Sequence, residues 1–283
     1  MLEVATSAEL RAATDAARQR GAGVGFVPTM GALHAGHRSL LARARAENDL
    51  VVASVFVNPL QFGPAEDLAS YPRDREADLA VLEAEGTDLA FLPAEREMWP
   101  SAPEVRLRVG GGLAERLEGL HRPGHLDGVA TVVAKLLHLV GPSRAYFGQK
   151  DAQQLAVVRR MVDDLAFPNQ IVACPTVREP DGLAASSRNA YLSPDERGRA
   201  TVLYRALKAG QAAFQAGRRD PTAVEAATRD LLEGQPGVEP DYVALVEPDS
   251  FEPAKQAEAG QVLATAARVG HTRLIDNLVL EGG

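Results

Sequence analysis

The sequence predicts an α/β protein: a parallel sheet with helices on both faces, followed by a smaller α+β unit. Three observations carry this reading. Short β-rich runs alternate with helical runs through the first half of the chain, and repeated β–loop–α order builds a parallel sheet. One run, Leu50 to Val57, is almost wholly apolar and β-branched, as a strand covered on both faces should be. Near residue 176 the alternation stops, and helices are followed by strands. The expected units are 1–175 and 176–283, a division that a chain of 283 residues can fill.

In order, Gly25-Phe26-Val27-Pro28 reads as a short strand and His37 to Glu47 as a helix. After the strand at Leu50, Arg73 to Glu85 is helical in period and Leu89 to Leu92 is a strand closed by Pro93. Gly128 to Val140 is a strongly apolar helix stopped by Gly141-Pro142. Ala145 to Phe147 is a strand, Asp151 to Leu165 a helix, and Gln170 to Ala173 a further strand ahead of Cys174, which is read as buried packing. In the second unit, Ser193-Pro194-Asp195-Glu196 is a helix start: a serine cap, proline in the first turn, a glutamate reaching back. Ala200 to Ala216 continues it, and Asp220-Pro221 opens another helix. Tyr242 to Val246, Val262 to Val269 and Arg273 to Val279 read as strands. In such a sheet the ligand is expected at the carboxyl ends of the strands.

Composition excludes several classes. Hydrophobic residues at 46% and charged residues at 24% are those of a folded globular chain, not a disordered one. One cysteine rules out an intrachain disulfide and a cysteine-rich zinc site. The net charge of −8 comes without any basic run to neutralise a nucleic acid, so no nucleic-acid partner is expected. An anionic ligand should be small and held by a few placed groups. The N-terminus carries Glu3 and Glu9 where a signal peptide is cationic then apolar, and Val129 to Val140 is too short to span a bilayer. No membrane association and a cytoplasmic location are the expectation.

Four segments carry the chemistry. The first is Pro28-Thr29-Met30-Gly31-Ala32-Leu33-His34-Ala35-Gly36-His37, between a strand and a helix. A helix N-terminus offers N–H groups and partial positive charge to an anion, and Gly36 permits close backbone approach. Two imidazoles there can donate hydrogen bonds to phosphate oxygens. A His-x-x-His pair on its own is as readily a surface pair or a metal pair. The second is Tyr146-Phe147-Gly148-Gln149-Lys150-Asp151-Ala152-Gln153-Gln154, again strand, glycine and helix. Lys150 is a mobile cation for phosphate. Asp151 fits a helix cap as well as a ligand contact, and Gln154 falls on the same helix face. The third, Ala185-Ser186-Ser187-Arg188-Asn189, offers an anion clamp of hydroxyls and a guanidinium. The fourth, Phe56-Val57-Asn58-Pro59-Leu60-Gln61-Phe62-Gly63, ends the apolar strand with neutral amides that suit hydroxyl and carboxylate oxygens, or with ordinary turn chemistry.

Taken in order, these segments resemble the pantoate–β-alanine ligase (pantothenate synthetase) family of the nucleotidylyltransferase superfamily. The resemblance runs from Val27 to Ser193, and the C-terminal length fits as well. The first motif resembles that superfamily's His-x-Gly-His signature, and Ser186-Ser187-Arg188 a variant of its second. The resemblance implies a Rossmann-like domain with a small C-terminal lid, and a two-step reaction in which pantoate is adenylated by ATP and β-alanine then displaces AMP. Pantothenate, AMP and pyrophosphate are the implied products, in the biosynthesis of coenzyme A.

By position, the resemblance implies ATP contacts from Pro28, Thr29, Met30, His34, Gly36, His37, Phe147, Gly148, Gln149, Lys150, Asp151, Val177, Ala185, Ser186, Ser187 and Arg188. His37 is implied as proton donor to the departing pyrophosphate, and Lys150 as the stabiliser of the transferring phosphate. Met30, Asn58, Gln61 and Gln154 are the implied residues for pantoate and β-alanine. Mg2+ bridging the phosphates is implied, with Asp78 near it, and so is a homodimer. Arg122 and His125 match a family stretch without an assigned role. The family pattern has glutamate at Gln149, an aromatic residue at Ala152 and a larger apolar residue at Ala185, which implies altered nucleotide affinity. The first motif alone leaves open a nucleotidylyltransferase acting on a phosphorylated acceptor, or a non-catalytic nucleotide-binding domain. Asn58, Gln61 and Gln154 argue against the former, since a phosphorylated acceptor calls for cations.

Overall fold

The computed structural model describes residues 1–64 and 66–282. Its first sheet has six parallel strands: β1 (Leu2–Val4), β2 (Val24–Thr29), β3 (Leu50–Val55), β4 (Leu89–Phe91), β5 (Arg144–Gly148) and β6 (Gln170–Cys174). Between them run α1 (Ser7–Gln19), α2 (Ala35–Glu47), α3 (Arg75–Ala84), the single turns α4 (Glu95–Met98), α5 (Gly112–Glu115) and α6 (Glu118–His121), then α7 (His125–Val140) and α8 (Ala152–Asp164). Strand side chains alternate between two cores. Phe26, Val52 and Phe91 face α1, α7 and α8, whereas Val27, Val51, Ala53 and Ala90 face α2 and α3. This is why Leu50–Val55 is apolar throughout: both faces are covered.

The strand order is β1-β4-β3-β2-β5-β6. The chain leaves β2 toward β3 and returns on the other side at β5, so the order reverses between β2 and β5. A ligand crevice forms at such a reversal. The register widens it. β2 pairs with β3 along Val24–Thr29, but with β5 only at Gly25 and Phe26. Beyond Phe26 the two strands part, and the loops after Thr29 and Gly148 face each other across the gap.

The C-terminal unit adds α9 (Pro194–Ala200), α10 (Val202–Gln215), α11 (Pro221–Glu233) and an antiparallel sheet of β7 (Val238–Val246), β8 (Val262–Val269) and β9 (Thr272–Val279). α9 starts with the expected capping box between Ser193 and Glu196. One face of this sheet packs on α10 and α11 through Leu203, Leu207, Phe214, Leu245 and Leu263. The other joins the first unit's core through Val246, Phe251, Val262 and Ala264. A rigid lid swing therefore has to break apolar contacts. The sequence pattern did not announce β1, α1 or the single turns α4, α5 and α6. α1 is capped by Thr6, whose side chain accepts from Glu9 N while Glu9 bonds back. β7 also begins four residues before the expected Tyr242, because a bulge between Pro240 and Tyr242 interrupts its pattern.

Candidate active site

The loop from Thr29 to His37 is held from beneath. Thr29 Oγ1 donates to the Ser54 carbonyl at 2.8 Å and accepts from Gly31 N at 3.2 Å. Gly31 and Ala32 both take positive φ, 86° and 51°. The alanine tolerates this strained conformation because Asp78 clamps it: Ala32 N and Leu33 N donate to the two carboxylate oxygens at 3.0 and 2.8 Å. Asp78 is buried and lies outside the cavity. Both Asp78 oxygens thus hold the loop that carries His34.

His34 caps α2. Gly36 N donates to His34 Nδ1 at 3.1 Å, and His34 N donates to His37 Nδ1 at 3.3 Å. Each Nδ1 is an acceptor, so each ring carries its proton on Nε2. Burial pushes His34 down to about pKa 4 and His37 down to about 3, with Lys150 adding to both effects and the facing His34 adding to that on His37. Both rings are therefore neutral N–H donors in the free protein. Gly36 has a second use besides ligand approach, because a Cβ there would meet the His34 ring at 2.9 Å.

Lys150 sits in a 3-10 turn, Gln149–Asp151, between β5 and α8. Asp151 occupies the cap position of α8 but makes no capping bond; it lies 3.8 Å from Lys150 Nζ and faces the cavity. Gln154, on α8, also lines the cavity. Gln149 is not among the residues lining it, and its carbonyl accepts from Asn277 at 3.0 Å. Ser186 caps the 3-10 turn Ser187–Tyr191, accepting from Arg188 N. Ser187 Oγ lies 3.2 Å from the Tyr71 hydroxyl, and Arg188 grips Asp67 through bonds of 2.8 and 3.1 Å. Burial works to raise the Asp67 carboxyl, but the Arg188 bonds outweigh it and hold the carboxyl below its usual range. Neither Asp67 nor Tyr71 was legible, since they lie 121 and 116 residues from their partners.

The amide end is equally organised. Asn58 is buried and is not among the residues lining the cavity. Its Nδ2 donates to Gln61 Oε1 at 3.1 Å and to the Gly128 carbonyl at 3.2 Å, while Oδ1 accepts from Trp99 Nε1 and Leu60 N. Gln61 lines the cavity, and its Nε2 points at the Met30 sulfur, 3.0 Å away. Sulfur is a weak acceptor, so the amide N–H groups stay available to an oxygen ligand. His125 Nδ1 meets the Gln61 carbonyl at 2.8 Å and Nε2 meets Arg122 Nη1 at 2.9 Å. Arginine can only donate, so the proton of His125 sits on Nδ1 and the ring is a neutral brace. Burial, then Arg122, pushes it down to about pKa 4. Arg122 is held by Glu66 at 2.6 and 2.9 Å.

His34, His37, Gln61, Lys150, Gln154 and Arg188 share one cavity, together with Pro28, Thr29, Phe147, Gly148, Val177 and Ala185. Val129, Val132, Val133 and Leu136 of α7 form an apolar wall beside it. Among the described residues Asp151 is the one carboxylate lining it, and no group of three His, Cys, Asp or Glu side chains could hold a metal ion.

A crevice at a strand reversal, collecting imidazole, ammonium and guanidinium groups from distant segments, defines an α/β nucleotide-binding enzyme. The family model for pantoate-beta-alanine ligase matches residues 3–279. A pantothenate synthetase from Roseiflexus castenholzii is 53% identical over 281 residues, 99% of this chain and 100% of the relative. The crystal structure of pantothenate synthetase from Thermus thermophilus superposes with a TM-score of 0.93 at 52% identity, covering 99% of each chain. A pantoate-beta-alanine ligase from Francisella tularensis, complexed with beta-gamma ATP and beta-alanine, gives 0.83 at 32% identity over 100% of this chain and 99% of that one. The chain belongs to the pantoate–β-alanine ligase family, whose members form a carbon–nitrogen bond.

Proposed function

We propose that the cavity binds ATP, pantoate and β-alanine and joins the last two through pantoyl adenylate. The observation that carries this is the chemistry gathered in one cavity: the Lys150 and Arg188 cations and the His34 and His37 rings, which suit phosphates, and the neutral amides of Gln61 and Gln154, which suit hydroxyl and carboxylate oxygens, with Met30 against Gln61. In the first step a pantoate carboxylate oxygen attacks the α-phosphorus, and the bond to the β-phosphate oxygen breaks. Charge builds on the departing pyrophosphate, where preformed N–H donors and cations in a water-poor site act most strongly. Lys150 stabilises the transferring phosphoryl group. Ser186, Ser187 and Arg188 close over the β- and γ-phosphates, Arg188 exchanging part of its hold on Asp67. Asp151 and the Val177 backbone hold the nucleoside. In the second step the β-alanine amine attacks the acyl carbon and AMP leaves. The α7 wall keeps water from the mixed anhydride.

Mg2+ enters as the counter-ion of ATP rather than on protein ligands. Cytoplasmic location is supported by the acidic composition and the buried single Cys174; no helix among the described residues is long and apolar enough to cross a membrane. A homodimer is the oligomeric state that the family resemblance implies. The working units are 1–175, bearing the nucleotide and pantoate sites, and 176–283, which covers them. The test is product release from purified protein. AMP and pyrophosphate should accumulate only with ATP, pantoate and β-alanine together, beyond a single turnover without the amine. Steady release without β-alanine would refute the reading.

A further inference from the structure

The Lys150 turn is gripped from the C-terminal unit. Asn277, on β9, is buried, and its Nδ2 donates to two consecutive carbonyls, Gln149 at 3.0 Å and Lys150 at 2.8 Å. A side-chain amide nitrogen has two hydrogens, and both go to this turn. The flipped amide would set oxygen against both carbonyls, so the orientation is determined. Asn277 is held in turn. Its N–H donates to Asp276 Oδ1 at 2.8 Å, and Asp276 takes Arg178 through bonds of 2.7 and 2.9 Å. Arg178 also donates to the Asn277 carbonyl at 3.2 Å and lies over the Tyr204 ring at 3.9 Å. Arg178 follows Val177, in the segment that leads on to Ser186 and Arg188.

Locally the turn has little to hold it. Asp151 makes no capping bond, and a Cβ on Gly148 would meet nothing within 4 Å. A lysine side chain is long and flexible, so where its ammonium points depends on how its backbone is fixed.

We propose that Asn277 is a positioning residue for Lys150: it fixes the backbone of the Gln149–Asp151 turn and so aims the ammonium at the transferring phosphate. The proposal rests on the role of Lys150 given above. A misplacement of about 1 Å in a reacting arrangement can cost about 10²-fold in rate. Asn277→Ala should therefore lower kcat and kcat/KM for ATP together by up to about that factor, leaving the KM for pantoate unchanged, because the lost contact belongs to the transition state.

The experiment is steady-state kinetics on N277A, K150M and the double variant, with folding checked by thermal melting. K150M should be slow, N277A slow, and the double no slower than K150M, since an ammonium that is gone cannot be misaimed. A purely structural role would instead cut the residual activity of K150M by the same factor as N277A cuts the native rate, and that result overturns the proposal. Native kinetics for N277A beside a slow K150M also overturn it, leaving the Lys150 role intact. A K150M with native kcat overturns both. If N277A does not fold, Asn277→Ser, smaller and with one donor, carries the same comparison at about 10-fold.

Discussion

Replacing Gly128 by alanine reaches the pantoate side of the cavity without adding anything to it. Gly128 lies in the first turns of α7, where the helix crosses the 3-10 turn Pro59–Gln61. A Cβ there would stand 2.7 Å from Gln61 Cα and 2.5 Å from the Leu60 carbonyl carbon. Carbon atoms settle at about 3.5–4.0 Å, so the turn or the helix must give by about 1 Å. Helix propensity favours alanine over glycine by about 1 kcal/mol, but the clash is with backbone, which cannot rotate away. Overpacking of this kind costs about 1–3 kcal/mol, offsetting or exceeding the gain. The displaced atoms carry Gln61 and the carbonyl braced by His125. A shift of about 1 Å in a binding group should lower kcat/KM for pantoate by about 10²-fold, while KM for ATP stays near native. Initial rates with pantoate varied at saturating ATP and β-alanine read this. Gly198→Ala, where no atom stands within 4 Å, is the matched control and should change neither rate nor binding. Native pantoate kinetics in G128A would refute the argument that α7 sets the position of Gln61.

Gln61→Ala should chiefly raise the KM for pantoate; unchanged pantoate binding by calorimetry would remove it from the site. Asp78→Asn puts an NH2 against a backbone N–H and should cost about 1–3 kcal/mol, with the Mg2+ dependence of the rate unmoved; a shifted Mg2+ requirement would return Asp78 to the metal. Acid should destabilise the fold early. His34, His37 and His125 sit at about 4, 3 and 4 against an ordinary 6.5, so the unfolded chain protonates first. Their stabilising effect is full above about pH 6.5 and is lost as pH falls toward 4. At pH 5.5 this amounts to about 1.4 kcal/mol for each ring, above the range where Glu66, Asp67 and Glu118, held low by their arginines, begin to titrate. Urea unfolding at pH 7.5 and 5.5 should differ accordingly, and a flat midpoint would contradict the neutral burial of the imidazoles.

What could be read from the chain was what is local. The apolar run at Leu50, the capping box at Ser193 and the strand–glycine–helix junctions at Gly36 and Gly148 each announce themselves within a few residues. The Thr6-x-x-Glu9 box of α1 is just as local. The roles of Asn58 and Asp78 were not legible, because the amide or carboxylate of each answers to distant backbone: Gly128 for the one, Ala32 and Leu33 for the other. Residue type suggested ligands in both places. The fold uses both to hold groups that face the cavity. The same holds for charge. The His34 and His37 rings are hydrogen-bond donors by residue type, and burial beside Lys150 keeps them neutral donors in the free protein.

The central claim is that pantoate attacks the α-phosphorus of ATP through its own carboxylate oxygen. Pantoate labelled with 18O in both carboxylate oxygens tests it directly when turned over with ATP and β-alanine. One labelled oxygen should appear in the phosphate of AMP and the other in the amide carbonyl of the product. Label in inorganic phosphate, or AMP free of label, would contradict the adenylate route.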